Sequence, residues 1–127
     1  MENLDQIRAA AASKLLPQGG KHPFDRSDVV GIPALILTNG LLASAAFCCE
    51  QGKDKREGMK NAFNGIATHL KSRGLTSATT GQALITDLAS KDSLALQRAT
   101  TEVLAFLSYL KRFSLKKDKK DNGATTA

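Results

Sequence analysis

Apolar side chains at Leu96, Ala99, Val103, Phe106, Leu107, Leu110 and Phe113 recur at the three-and-four spacing of one helix face. The segment Asp92 to Lys116 therefore reads as one long amphipathic helix. Asp92 or Ser93 can accept a hydrogen bond from a free amide of its first turn. At about 100° per residue, Arg98, Arg112 and Lys116 share a stripe pointing away from the apolar face, with Glu102 and Tyr109 at its margin. Glu102 lies one turn after Arg98, close enough for an ion pair along the helix.

Charge is concentrated where that helix ends. From Lys111 to Ala127 there are six Lys or Arg against Asp118 and Asp121, a balance of +4. The first 110 residues carry twelve bases against ten acids, or +2, which completes the formal +6 of the chain. Such a cluster is the footprint of a surface that meets phosphate. The segment 116–127 lacks large apolar residues and is expected to be a flexible Lys-rich tail, outside a single helical domain over 1–115.

A chain of 127 residues is large enough to fold around one core without disulfide or metal. Ala and Leu are abundant and no stretch alternates polar with apolar for long, which predicts an all-α fold: a compact bundle of about five to six helices. Five Phe, one Tyr and no Trp leave little for the aromatic platforms of RNA-recognition sheets and oligonucleotide-binding barrels.

Val29 to Cys49 is free of charge and long enough to cross a bilayer. Pro33, Asn39 and Gly40 interrupt it, and Asp28 and Glu50 flank it without the basic asymmetry of an inserted segment. It reads instead as a short turn before Pro33, then a central helix running to about Gln51 and stopped by Gly52, uncharged on every side and buried in the bundle. Leu4, Ile7, Ala11 and Leu15 mark a first helix that carries Arg8 and Lys14 and ends at Pro17 and Gly19-Gly20. Met59, Phe63, Ile66, Ala67 and Leu70 mark a third, opened by Lys53, Lys55, Arg56 and Lys60 and closed by Lys71 and Arg73 beside Gly74. A Ser/Thr-rich loop from Thr76 to Thr80 leads to a short helix through Leu84, Ile85 and Leu88. With no basic-then-apolar leader, the expected location is cytoplasmic.

Little points to catalysis. His22 and His69 lie in separate elements without the partners of a general base or metal ligand, and read as surface or core residues. Cys48 and Cys49 have no second pair for zinc and read as small core residues. No glycine-rich phosphate loop is present, so the expectation is a non-enzyme without cofactor or metal.

The run Arg98-Ala99-Thr100-Thr101-Glu102-Val103-Leu104-Ala105-Phe106-Leu107-Ser108-Tyr109-Leu110-Lys111-Arg112-Phe113 resembles the C-terminal signature of the small subunit of the type III-B CRISPR effector, the Cmr complex. Pro33 to Leu41 with Ala46-Phe47 is similar to that family's central helix, and Gln6, Arg8 and Ala9 fit its first helix more loosely. Tyr109 stands where the family more often has Trp, and the Lys-rich tail extends past its usual end. The resemblance implies a non-catalytic helical subunit, stacked in copies along a crRNA-guided filament that silences invading transcripts. Its partners would be crRNA and target RNA, other Cmr subunits and copies of itself, with no membrane. The residues expected to contact RNA are Arg98, Lys111 and Arg112, with Lys116, Arg8, Lys71 and Arg73 as further candidates. Three other readings stand beside it: the Lys111-Arg112 pair meeting acidic residues of a neighbouring subunit, a free-standing helical nucleic-acid-binding protein, and a structural adaptor that docks other helices.

Overall fold

A computed structural model of the chain describes residues 3–15, 23–50 and 56–114. Seven helical segments and no strand occur among them: α1 (Leu4–Lys14), α2 (Arg26–Val30), α3 (Ile32–Asn39), α4 (Leu41–Cys48), α5 (Glu57–Ser72), α6 (Gly81–Ala89) and α7 (Ser93–Phe113). The stop expected at Pro17 and Gly19-Gly20, His22, Gly52, Lys53, Lys55 and the tail from Lys116 lie outside the described residues.

Short polar side chains start the helices, because the first-turn amides lack carbonyl partners inside the helix. Asn3 and Gln6 form a reciprocal capping box on α1, with bonds of 2.8 and 2.9 Å. Asp25 and Asp28 do the same for α2. Thr80 caps α6 through the Ala83 amide, and Asp92 caps α7 through the Ala95 amide at 2.8 Å, so Ser93 is the first helical residue.

The expected central helix is two segments. Gly40 breaks it with φ +91° and ψ 162°, a conformation that residues with a Cβ avoid. Its carbonyl then accepts both the Ser44 amide and the Ser44 hydroxyl, restarting the chain as α4. Nor is the segment buried on all sides. Ile32, Ile36, Leu41, Ala45 and Cys48 face the core, while Leu37 is 75% exposed and Phe47 42%.

The core is one hydrophobic cluster to which all seven segments contribute. α1 packs most extensively on α7, α2 and α3 also lie against α7, and α5 sits between α7 and the α4–α6 pair. α7 buries Ala99, Val103, Phe106, Leu107 and Leu110 as the periodicity predicts, and each large side chain among them contributes about 1.5–3 kcal/mol by leaving water. Two positions differ: Phe113 stays 37% exposed, edge-on to Tyr109, and Glu102 is drawn onto the buried face at 7% exposure.

Candidate nucleic-acid interface

Three of the basic side chains singled out in the sequence converge on one groove of about 500 Å³. Arg8 reaches it from α1, Arg73 from the end of α5 and Arg98 from the first half of α7. The end of α5 is shaped by Gly74, whose φ of +74° turns the chain back. The Leu75 amide then donates to the Leu70 carbonyl and the Gly74 amide to that of Lys71, each at 3.0 Å. This paired closure fixes the backbone from which Arg73 projects. Lys71, two residues earlier, is exposed and does not line the groove.

At the base of the groove Glu102 is bonded on both oxygens. Arg8 donates from Nε and from Nη2, each at 2.9 Å, and His69 Nε2 lies 2.8 Å from Oε2. The pairing expected between Glu102 and Arg98 does not form. Glu102 sits with the apolar face of α7, so its carboxylate is met by donors from α1 and α5, while Arg98 stays exposed and pairs with no carboxylate among the described residues.

Burial opposes the charge on Glu102, yet the hydrogen bonds from Arg8 and His69 outweigh it and hold the carboxyl below its ordinary range. Burial pushes the His69 imidazole down, against the upward pull of Glu102, so the ring is neutral near pH 7. Its Nε2 then carries the proton given to Glu102, and Nδ1 is left buried without a partner. The ring stacks on Phe106 with centroids 4.1 Å apart and planes 10° from parallel. His69 is thus a core residue that supports Glu102. In Arg8, the bond to Glu102 outweighs desolvation and raises the pKa further.

Lys111 and Arg112 form a separate basic group, about 20 Å from Arg98 along the axis of α7 at 1.5 Å per residue. Both are exposed and free of ion pairs among the described residues. Their carbonyls are held by Arg26, whose Nε donates to Lys111 and Nη2 to Arg112 at 3.2 and 3.3 Å. A cation at the negative end of a helix dipole is favourable, and the sequence reading passed over Arg26 in this role. The sequence signal for it was slight, a base directly after the cap Asp25 of α2. Lys116 lies outside the described residues.

Other polar groups serve the fold. Arg56 is tied to Glu50 at 2.6 Å and to the Phe47 carbonyl, and covers the Phe47 ring at 3.8 Å. Cys48 and Cys49 are buried, and burial pushes the Cys48 thiol up to about 12, so it packs as an uncharged side chain. No cluster of His, Cys, Asp or Glu suited to a metal occurs among the described residues, and no helix among them is long and apolar enough to cross a membrane.

The model of a family described as CRISPR-associated protein (Cas_Cmr5) matches residues 6–116. The fold is similar to the crystal structure of a CRISPR-associated Cmr5 family protein from Thermus thermophilus, with a TM-score of 0.69 and 25% identity over 89% of this chain and 95% of that one. No curated protein matches the chain. A family match over nearly the whole helical body, together with the same arrangement of helices, places the chain in the CRISPR-associated Cmr5 family.

Proposed function

We propose that the chain is a non-catalytic small subunit of a crRNA-guided type III-B ribonucleoprotein, stacked with copies of itself along the filament in the cytoplasm and holding the backbone of guide and target RNA during antiviral defence. Family membership supports the place in a Cmr complex. The observation that carries RNA contact is the pattern of cations along α7: Arg98 at one end and Lys111 with Arg112 at the other, all exposed and uncommitted to any acid among the described residues. Side chains held in water without a partner have a full charge to offer phosphate, whereas Arg8 is largely spent on Glu102. Guide-directed complexes leave sequence reading to base pairing, so a subunit of this kind needs only backbone contacts.

The test is the salt dependence of target-RNA binding by the reconstituted complex. Each phosphate neutralised by a Lys or Arg contributes close to one unit of slope. The Lys111→Ala, Arg112→Ala variant is expected to flatten the slope by one to about two units and to weaken binding equally for every target sequence. An unchanged slope would remove this pair from the RNA surface and leave it to acidic residues of a neighbouring subunit.

A structural adaptor is favoured by one observation, the 75% exposure of Leu37 on an otherwise apolar helix. Removing 116–127 separates such an adaptor from a free-standing nucleic-acid-binding protein that relies on its tail. An adaptor assembles and functions unchanged, while a tail-dependent binder loses RNA affinity.

A further inference from the structure

The groove that gathers Arg8, Arg73 and Arg98 is not uniformly polar. Leu4, Leu75 and Leu94 also line it, and two of these are large apolar side chains left substantially in water: Leu4 is 39% exposed and Leu94 52%. Leucines beside three guanidiniums make a two-part surface, one part for an anion and one for a flat apolar group. A groove of about 500 Å³ is in the size range of small-ligand sites, several hundred to about a thousand cubic ångströms.

The charges are arranged unequally. Glu102, itself held by His69, pins the guanidinium of Arg8 along its Nε and Nη2 edge, which leaves Nη1 as its uncommitted end. Arg73 and Arg98 are exposed and pair with no acid among the described residues. Glu102 cancels one of the three positive charges, and two remain for an incoming anion. Guanidinium groups suit phosphate because their planar fork meets two oxygens at once, and the same planes stack against bases.

We infer that this groove is a subsite for one unpaired nucleotide of single-stranded RNA: Arg73 and Arg98 hold its phosphate, Arg8 is a fixed third donor positioned by Glu102, and Leu4, Leu75 and Leu94 cover the face of its base. A nucleotide supplies both parts together, an anion and, one sugar away, a flat apolar face. A carboxylate side chain of a protein partner supplies only the first. Bases in a duplex are stacked and paired, so the leucines can be reached only by a nucleotide that has left the stack. The inference rests on the RNA-binding reading above and deepens it, adding a second contact surface about 20 Å from Lys111 and Arg112.

Methyl-resolved NMR of the full chain tests it, since weak binding still moves resonances. The probes are a short oligoribonucleotide, the same strand in a duplex, inorganic phosphate and a polyglutamate peptide, all at low salt. Saturable shifts of the Leu4, Leu75 and Leu94 methyl groups are expected with the single strand, at least several-fold weaker with the duplex or phosphate, and lost in Arg73→Ala, Arg98→Ala. Leu94→Ala, at an exposed position that the fold does not need, should weaken single-strand binding about threefold without changing the salt dependence, because no charge is removed. Shifts confined to the end of α7, and lost in the Lys111→Ala, Arg112→Ala variant, would overturn the subsite while leaving the RNA-binding reading intact. Shifts of these leucines with polyglutamate but not RNA would assign the groove to an acidic protein surface and overturn it too. No shift with any probe would likewise end it, whatever the assembled complex does with RNA.

Discussion

Arg8 grips both oxygens of Glu102 across 94 residues of sequence, with two bonds of 2.9 Å that lock α1 against α7. A two-point contact between a guanidinium and a carboxylate fixes orientation as well as distance. Because α1 packs more extensively on α7 than on any other helix, the pair sets the register of that contact and, with it, the floor of the basic groove.

Cutting this pair should cost more than a surface ion pair does. Side chains of Arg8 and Glu102 are 19% and 9% exposed, so removing one leaves the other poorly solvated. Arg8→Met is expected to destabilise the fold by about 2–3 kcal/mol, below the 3–5 kcal/mol of a fully buried pair because Arg8 touches water. Urea unfolding of the two single variants and of Arg8→Met, Glu102→Gln should give a coupling above about 1 kcal/mol. Strictly additive losses would show that the two side chains do not act together.

Acid should weaken the fold in two stages. Below the ordinary imidazole value of 6.5 the unfolded chain protonates its counterpart of His69, while the folded ring, buried beside Glu102 with Arg8 and Arg73 nearby, stays neutral to lower pH. The unfolded state then binds more protons, and stability falls with falling pH by at most about 1.4 kcal/mol per pH unit. Below the ordinary 4.5 of a glutamate, Glu102 adds a loss of the same sign, because its folded pKa is also lowered. Replacing His69 by Phe deletes the first stage and shrinks the second, because one of the hydrogen bonds that lower Glu102 goes with it. At pH 7.5 its cost should lie within about 1 kcal/mol of zero, since the lost bond to Glu102 is offset by removal of the buried, unpartnered Nδ1. A His69→Phe protein that still loses stability between pH 6.5 and 5 would place that titration elsewhere.

The long amphipathic helix was legible in the sequence because Ala99, Val103, Phe106, Leu107 and Leu110 carry their own period and Asp92 is a strong cap. Gly74 likewise announced the end of α5. The break at Gly40 was not assigned, though Asn39-Gly40 stood out, since a run without charge has no polar phase against which a change of helix direction would register. Burial of Glu102 could not be read at all, because its partners Arg8 and His69 lie 94 and 33 residues away. The neighbour at four residues, Arg98, was the only one that local spacing could offer. For the same reason sequence reasoning listed Arg8, Arg73 and Arg98 as bases but could not bring them to one groove or part them from Lys111 and Arg112.

Gly31 and Gly40 bracket α3 and should respond to alanine with opposite signs. A Cβ meets no atom within 4 Å at either position. Gly31 has φ −88° and ψ −11°, which alanine adopts readily, so Gly31→Ala should add about 0.4–1 kcal/mol by restricting the unfolded chain. Gly40 has φ +91° and ψ 162°, which alanine resists, and Gly40→Ala should cost about 1–3 kcal/mol. Thermal midpoints of the two variants on either side of the parent check both. Equal shifts would mean that the corner between α3 and α4 relaxes freely.

Arg26 closes α7 from outside, and its removal should loosen only the end of that helix. Its two donors meet the Lys111 and Arg112 carbonyls, which no amide further along the helix meets among the described residues, while the Ser114 amide still bonds to Leu110 at 2.9 Å. Loss of a favourable contact at a helix terminus is worth about 1 kcal/mol here, or about fivefold in a local opening equilibrium. In Arg26→Gln, amide exchange of Arg112, Phe113 and Ser114 should accelerate by roughly that factor, while Val103 to Leu107 keep the protection of the core. If those last amides exchange at the parent rate, Arg26 does not hold the end of the helix. In that case Lys111 and Arg112 owe their position to the packing of Leu110 alone.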